Sequence, residues 1–188
     1  EFIDKVPEMA KKLYDPNVVF IFHSKSPNKA PGKGTSESLP SALAPEYSVL
    51  NDIPEWRQKL SNFWGSDNGL FELDGKKWFS VEHYYQGSKF KKDNPEFYNK
   101  FSLDSNSDLS KNPAMSKGAG GKSGKYLNIQ VRPKGIKADK DFFSERTKSE
   151  MYLSQYAKFT QNEELKKLLK ETKQARLLHH VQRQKEKE

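Results

Sequence analysis

The sequence predicts an α+β fold, a single helix-dominated domain with a small β-sheet. The chain has 188 residues, which is one domain's worth, and its 12% aromatic residues supply large apolar side chains for a core. Short β-branched and aromatic runs beside turn dipeptides indicate strands, and apolar residues at helical spacing indicate helices. We therefore expect a domain at 17–181, an N-terminal extension at 1–16 and a charged C-terminal tail at 182–188.

The first predicted strand is the apolar run from Asn17 to His23, which Asp15-Pro16 precedes. Within the extension before it, Ile3 to Tyr14 is a candidate for a short helix. The segment 24–46 after the strand is rich in Pro, Gly, Ser and Lys and is too polar to pack in a core. We expect it to be a mobile surface loop within the domain.

The next segments predict a helix, a β-hairpin and two further helices. Pro54 indicates the start of a short amphipathic helix. Asp74-Gly75 lies between two apolar runs and is typical of a tight hairpin turn, because both positions tolerate positive φ. Ser80 is a predicted N-cap for a helix from 81 to about 91, and a helix that starts near Pro95 follows it.

The last third of the domain is predicted to be a long loop followed by two helices and a strand. Residues 102–126 are rich in Ser, Asn, Gly and Lys, so we expect loop with at most one helical turn. The longest helix opens at Asp141 or Ser144 and runs to about 159. A capping-box pattern at Thr160 predicts another helix, and 175–181 is the predicted final strand.

The composition excludes several classes of protein. The chain has no Cys, which rules out a disulfide scaffold, a Cys-ligated zinc site and a Cys nucleophile. Its 4 His residues lack zinc-ligand spacing, and we expect neither a metal nor a cofactor. The longest apolar run is too short for a bilayer, and no leader pattern opens the chain. We therefore expect a soluble, intracellular protein of the cytoplasm or nucleus.

The positive charge is concentrated in one part of the sequence. Residues 1–110 hold 14 basic and 16 acidic side chains, whereas 111–188 hold 19 basic and 9 acidic ones. A basic C-terminal half suits a phosphate-bearing partner. The alternative is a solvated, Lys-rich surface, and charge alone does not decide between them.

The most informative stretch is the predicted helix that begins after Ser80. Glu82, Gln86 and Lys89 fall at i, i+4 and i+7, so they share one helix face among aromatic neighbours. Glu82 also lies in the first turn, where the helix dipole favours a carboxylate. Spacing alone leaves open an ordinary exposed face of Glu and Lys.

Two further groups of residues are candidates for ligand contacts. The first group is a set of aromatic residues at the ends of loops: Phe63, Trp64, Trp78 and Phe79. Loop aromatics can stack on a base, although they can equally belong to the core. The stretch Gly118 to Lys125 has the glycines and lysines to surround a phosphate, but it lacks the order of a Walker A loop. A plain flexible loop is the alternative for that stretch.

A series of short motifs follows a fixed order along the chain: Leu60-Ser61-Asn62-Phe63, Asp74-Gly75-Lys76, Ser80-Val81-Glu82-His83-Tyr84-Tyr85-Gln86 with Lys89-Phe90, Gly121-Lys122, Arg132-Pro133, Glu150-Met151, Ala157-Lys158-Phe159-Thr160-Gln161-Asn162, Leu168-Leu169 and Thr172. This order resembles one family, the NADAR or YbiA-like domain. The resemblance covers roughly residues 17–181. It implies a YbiA-like fold and an N-glycosidase activity on a ribosyl C–N bond. Such cleavage calls for a carboxylate that stabilises charge or moves a proton.

By this resemblance Glu82 is the expected catalytic carboxylate, and Lys89 is the amine proposed to form a Schiff base with ring-opened ribose. Where many family members have a Trp-Asp pair, this chain has Asp141-Phe142-Phe143-Ser144. The second carboxylate is therefore open among Asp139, Asp141 and Glu145, and Asp141 is our choice. The expected substrate-binding residues are Asn62, Phe63, Trp64, Trp78, His83, Gln86, Lys122, Arg132 and Phe143.

The preferred substrate is ADP-ribosylated guanine in nucleic acid, because the basic half of the chain would attract a polyanion. The first alternative is a riboflavin-biosynthesis intermediate, which would leave that charge without a use. A non-catalytic module that binds ADP-ribose or nucleic acid, and a structural protein with an inert pocket, are the others. The expected partner is thus ADP-ribosylated nucleic acid or an ADP-ribose-like small molecule, with no membrane and no metal, and the oligomeric state is open.

Overall fold

The computed structural model describes residues 13–180. The predicted helix from Ile3 to Tyr14, apart from its last two residues, lies outside the described residues. So do Val181, the last residue of the predicted final strand, and the predicted charged tail at 182–188. The backbone forms two compact units, one made of 13–61 with 164–180 and one made of 62–163. The prediction of a single domain over 17–181 stays a prediction.

The described elements are six strands and six α-helices, most of them short. The strands are β1 (Asp15–Phe22), β2 (Phe71–Leu73), β3 (Lys76–Trp78), β4 (Lys125–Tyr126), β5 (Ile129–Gln130) and β6 (Ala175–His179). The α-helices are α1 (Trp56–Leu60), α2 (Val81–Ser88), α3 (Pro95–Lys100), α4 (Pro113–Gly120), α5 (Thr147–Gln161) and α6 (Glu163–Glu171). Three 3-10 segments (Ala44–Asp52, Leu103–Ser105, Leu109–Lys111) and a π-helical turn (Phe142–Arg146) complete the set.

The mixed helix and sheet content confirms the predicted class. The strands do not form one small sheet, however. They form three two-stranded sheets: β1 with β6 in parallel, and β2 with β3 and β4 with β5 as antiparallel hairpins. The strands of β4 and β5 have only two residues each, so a tight turn at Leu127 and Asn128, both with positive φ, accounts for most of that hairpin.

In the first unit, β1 carries the core. Val18 and Phe20 are fully buried, and the Phe20 ring packs edge-on against Tyr47 at 5.3 Å and Trp56 at 5.4 Å. Such aromatic pairs add about 0.5–1.5 kcal/mol each beyond their buried area. The strand predicted at 17–23 and the helix predicted after Pro54 are both confirmed.

The loop at 24–46 is tied to the first unit by a buried ion pair. Arg57 donates to both carboxylate oxygens of Glu37, at 2.6 Å and 3.0 Å, and also to the backbone oxygen of Ala30 at 2.9 Å. Glu37 in turn accepts the backbone N–H of Ile21 at 2.9 Å. Both charges are paired and hydrogen-bonded, which is the condition for burying them. The mobility predicted for this loop stays a prediction.

In the second unit, the predicted hairpin is confirmed. Asp74 and Gly75 have φ of 56° and 69°, the left-handed values that a two-residue hairpin turn requires. The hairpin places Trp78 in the core, where its ring packs edge-on against Tyr84 at 5.1 Å. A cluster of Phe90, Phe97 and Phe101 continues the core of this unit.

The loop predicted for 102–126 is wrong over part of its length, because α4 runs through Gly118 to Gly120. Asn112 caps this helix by accepting the backbone N–H of Met115 at 3.0 Å, and Pro113 occupies the first turn. Glycine disfavours helix, but here tertiary packing outweighs that preference. A Cβ at Gly118 would meet the backbone oxygen of Lys125, so the absence of a side chain permits the close approach.

Candidate active site

The candidate active site is built on α2, which the sequence caps as predicted. The Ser80 hydroxyl accepts the backbone N–H of His83 at 3.3 Å. Glu82 follows in the first turn, and its own backbone N–H donates to Asn62 O at 2.9 Å. This face of α2 packs on α4, where the hydroxyl of Ser116 donates to Glu82 O at 3.4 Å. The packing encloses Glu82, which is 7% exposed.

Burial sets the protonation of Glu82. Removal from water raises its pKa above the ordinary value, because the charged form loses its hydration. The side-chain N–H of Gln86, which donates to Glu82 Oε1 at 2.8 Å, works against that rise. The cations of Lys117 and Lys89 also lower the pKa, by smaller amounts. The net effect is a carboxyl group that holds its proton to higher pH than an exposed Glu.

Gln86 has one atom without a protein partner. Its Oε1 is buried and accepts no hydrogen bond from the described residues. A Cβ on Gly120 would lie 2.8 Å from Gln86 Cβ and closer still to that oxygen, so glycine is what lets α4 approach here. A buried acceptor that lacks a donor is unfavourable by about 1–3 kcal/mol, and a bound ligand or water can remove that penalty.

Lys89 lies just after the last residue of α2, and its side chain reaches α4 from the face of α2 that also carries Glu82 and Gln86. Its Nζ donates to Gly120 O at 3.0 Å and lies 5.5 Å from the ring centres of both Tyr85 and Phe143. Burial lowers the pKa of Lys89, while the nearby Glu82 carboxylate raises it and Arg132 lowers it. An amine with a lowered pKa has a larger uncharged, nucleophilic fraction near neutral pH.

The structure thus brings together three of the residues predicted from spacing: Glu82, Gln86 and Lys89. All three are more than nine-tenths buried, on the face of α2 that packs against α4. The set offers a carboxyl group with a raised pKa, an amide, and an amine with a lowered pKa, and the carboxyl and the amine are within electrostatic reach of each other. Chemically it can donate a proton to a leaving group and present a nitrogen nucleophile.

The carboxylates of Asp139 and Asp141, two of the three candidates for a second carboxylate, contact residues other than Glu82, Gln86 and Lys89. Asp139 is fully engaged by N–H donors of the 92–93 turn and by Arg146. Asp141 pairs with Lys92 and Arg146, which hold its pKa below the ordinary value. Glu145 is exposed. The choice of Asp141 as a catalytic residue stays a prediction that these contacts do not favour.

Arg132 and Lys122 are the two basic side chains among the expected substrate-binding residues. The Arg132 guanidinium donates to backbone oxygens of the turn after α4, at 2.8 Å to Ala119, 2.7 Å to Gly121 and 3.2 Å to Lys122. It therefore shapes the segment whose Gly120 oxygen accepts from Lys89. The Lys122 side chain is exposed and can meet an anion.

The predicted aromatic contacts divide into three groups. Trp78 is fully buried and donates its indole N–H to Leu73 O at 2.8 Å, so its ring faces are covered by protein. Phe63 and Trp64 are half-buried. Phe143 is 65% exposed and packs edge-on against Phe142 at 5.1 Å, which leaves it open to a ligand beside Lys89.

His83 and Asn62 have structural partners. The two ring nitrogens of His83 lie 2.7 Å from Ser80 Oγ and 2.9 Å from Leu109 O, and burial lowers its pKa to about 4. The ring is therefore neutral near pH 7. Asn62 accepts from Gln155 at 2.5 Å, while its backbone oxygen holds the start of α2. Both residues support α2, and their predicted contacts with substrate stay predictions.

Sequence reasoning included Gly120 only as part of a possible phosphate-binding stretch and missed its two contacts. Its backbone oxygen accepts from Lys89 Nζ, and its lack of a Cβ leaves room for the Gln86 side chain. The only signal was a glycine in a polar stretch, which equally indicates a loop. Among residues 13–180, no cluster of three or more His, Asp or Glu could hold a metal ion. No helix in the described part of the chain is long and apolar enough to span a membrane.

Comparisons with known proteins add little to this geometry. No protein-family model matches the sequence, and no curated protein matches it. Among solved structures, the chain is similar to the E. coli protein YbiA, determined by NMR, with a TM-score of 0.46 and 19% identity over 90% of this chain and 70% of the other. This likeness assigns neither a family nor an activity.

Proposed function

We propose that the protein is an N-glycosidase that cleaves the ribosyl C–N bond of ADP-ribosylated guanine in nucleic acid. The observation that carries the proposal is the pairing on one face of α2 of a buried carboxyl with a raised pKa, Glu82, and a buried amine with a lowered pKa, Lys89. Perturbed groups of this kind cluster at functional sites. The motifs that resemble the NADAR family support the same class of reaction.

Glu82 supplies the proton in this proposal. Cleavage of a ribosyl C–N bond moves positive charge to the sugar carbon C1′ and leaves the departing nitrogen in need of a proton. Protonated Glu82 donates to that nitrogen as the Lys89 amine bonds to C1′, and its carboxylate then takes a proton from the water that hydrolyses the Lys89 imine. The reaction consumes one water and restores the acid. Burial of Glu82 supports this role because it keeps the acid form to higher pH.

Lys89 is the proposed nucleophile of a covalent route. Its uncharged nitrogen bonds to C1′ as the bond to the base breaks. The ring oxygen then leaves C1′ with a proton from that nitrogen, which opens the sugar and leaves a protonated imine. Water hydrolyses the resulting imine and frees the amine. The lowered pKa of Lys89 and its position 5.5 Å from the centres of two aromatic rings support this assignment. Asp141, held by two cations, is given no chemical step.

The remaining contacts are assigned by chemistry. The free Oε1 of Gln86 accepts a hydrogen bond from a ribose hydroxyl, and the exposed ring of Phe143 stacks on the base. Lys122 meets phosphate. The basic half of the chain favours a polyanionic substrate over a small riboflavin-pathway intermediate.

The test is mass-spectrometric turnover of an oligonucleotide that carries ADP-ribosyl guanine, with riboflavin-pathway ribosylamines in parallel. We expect wild type to release ADP-ribose. We expect Glu82→Gln and Lys89→Ala to lose about 10²–10⁴-fold in rate while they still bind the oligonucleotide, because an acid or nucleophile contributes on that scale. Glu145→Gln, which changes an exposed carboxylate, is the matched control.

Two outcomes would overturn the proposal. Turnover of the ribosylamines alone would move the activity to the riboflavin pathway. Tight binding of the oligonucleotide without turnover, unaffected by Glu82→Gln, would make the protein a binding module.

A further inference from the structure

The end of α2 is where Lys89 acquires its position. The helix stops at Ser88, and the last backbone oxygens of any helix lack partners within it. Lys89 is the residue that follows, so the backbone of this turn sets the direction in which its side chain leaves. A contact that fixes the backbone of this turn therefore also limits where the Lys89 amine can lie.

Two residues of the segment 139–146 hold this turn, and Asp139 is the first of them. The backbone N–H of Asp139 donates to Lys89 O at 2.6 Å. Its carboxylate accepts the backbone N–H groups of Lys92 and Asp93, each at 3.0 Å. The Asp139 side chain is 1% exposed. A buried carboxylate thus receives the free donors after α2, while its backbone satisfies the free acceptor at Lys89.

Arg146 is the second half of this arrangement. Its Nη2 donates to Asp139 Oδ2 at 2.5 Å, and its Nη1 donates to Ser88 O at 3.2 Å. The planar guanidinium therefore joins the carboxylate to the last residue of α2, a geometry that the single ammonium of Lys cannot reproduce. Arg146 Nη1 also lies 3.5 Å from Oε2 of Glu150 on α5, and this ion pair further restrains the guanidinium.

We propose that Asp139 and Arg146 form a clasp that positions the amine of Lys89 against Gly120. The inference rests on the proposed function, in which Lys89 is the nucleophile. Both clasp residues are positioning residues, because their polar atoms are already occupied. The Asp139 carboxylate contacts the turn after α2 and Arg146, and the guanidinium contacts Asp139, Ser88, Asp141 and Glu150. A displacement of about 1 Å at a reacting group can lower a rate about 10²-fold, so a clasp on the backbone of a nucleophile affects rate as well as folding.

The clasp also accounts for the ambiguity among the three carboxylates. Asp139 is the one that contacts the turn carrying Lys89, whereas Asp141 reaches only the Lys92 side chain and Arg146. The proposal therefore assigns Asp139 a role in catalysis that does not involve proton transfer.

The test measures the reactivity of Lys89 itself. Full-length protein is treated with ribose 5-phosphate and cyanoborohydride over a range of pH, and the alkylated lysine is identified by peptide mass spectrometry. The variants are Asp139→Asn and Arg146→Lys, which keep part of each contact, with Asp139→Ala and Arg146→Ala as the full losses. Lys92→Ala is the matched control, because it removes only the exposed partner of Asp141.

In folded wild type we expect Lys89 to react at lower pH than the exposed Lys117. In each clasp variant the midpoint for Lys89 should rise toward that of an ordinary lysine as water reaches the amine, with alkylation near neutral pH slower by threefold or more. The Asn and Lys variants should be intermediate. Glu82 and Arg132, the charged groups that act on Lys89, stay in place throughout.

An unchanged Lys89 midpoint in folded Asp139→Asn and Arg146→Lys would overturn the clasp. So would a change of equal size in Lys92→Ala. If the midpoint shifts but turnover of the ADP-ribosylated oligonucleotide does not, the clasp stands and the use of Lys89 as nucleophile fails, so the two proposals are separable.

Discussion

Glu82 is a carboxyl group that folding removes from water, and this has a consequence for stability. Because its pKa is raised in the folded state, its stabilising contribution is fully present below the unfolded pKa and is lost as pH rises through the folded pKa. We expect Glu82→Gln to be more stable than wild type at about pH 8 and to lose that advantage near pH 4. Urea midpoints over this range measure it.

The control is Glu145→Gln, an exposed position on the π-helical turn. Its midpoint should follow wild type at each pH. A stability gain in Glu82→Gln that does not vary with pH would contradict the argument, since packing alone would then explain it.

For His83 we expect the opposite pH dependence of stability from that of Glu82. Burial lowers its pKa to about 4, so its stabilising contribution is present above the unfolded value near 6.5 and is lost as pH falls toward 4. The loss should reach about 3 kcal/mol in the free energy of unfolding, at about 1.4 kcal/mol for each pKa unit. NMR titration should find the His83 ring neutral at about pH 5, with the exposed His180 as reference in the same spectra. Protonation of His83 near pH 6.5 would contradict this.

At the scale of elements, the contact between α2 and α4 decides whether the site assembles. A Cβ on Gly120 would press on Gln86, so Gly120→Ala must move that side chain away from Glu82 or separate the helices. We expect a loss of about 1–3 kcal/mol in stability, as for other overpacked sites, and at least a tenfold loss in turnover. Urea unfolding and the oligonucleotide assay measure these two effects.

Gly121→Ala is the neighbouring control. Its Cβ would meet only the backbone oxygens of Lys117 and Gly118, at 3.1 Å and 3.4 Å, which a small shift relieves. Equal losses in the two variants would indicate that α4 simply requires glycine near its end, and would remove the special role of Gly120.

The sequence predicted elements with local signals and missed those that depend on distant packing. Ser80 predicts a helix start because its side chain can cap one, and Asp74-Gly75 predicts a hairpin turn because both residues tolerate positive φ. The helix and the turn both lie where expected. The helix α4 carries glycines that favour a loop, and only its neighbours make it a helix.

The same distinction applies to the site. Glu82, Gln86 and Lys89 share a face by spacing alone, which the sequence displays. The partner of the Lys89 amine lies 31 residues away, and Arg146 reaches the end of α2 across 58 residues. No periodicity encodes contacts at such separations, so the clasp and the role of Gly120 required the fold.

At the scale of the whole molecule, the uneven charge predicts a salt-dependent affinity for nucleic acid. Each Lys that neutralises a phosphate of a single strand contributes about 0.7 to the slope of log affinity against log salt. Lys117 on α4 acts on Glu82, and Lys122 and Lys125 are exposed in the segment that follows α4. Their joint replacement by Gln should lower that slope by about 2 on a single-stranded oligonucleotide, measured by fluorescence anisotropy. The control replaces Lys166, Lys167 and Lys170 on α6, which removes the same charge and should leave the slope nearly unchanged. Equal changes in the two variants would contradict the prediction. They would mean that the net charge of the chain, rather than a local phosphate site, attracts the strand.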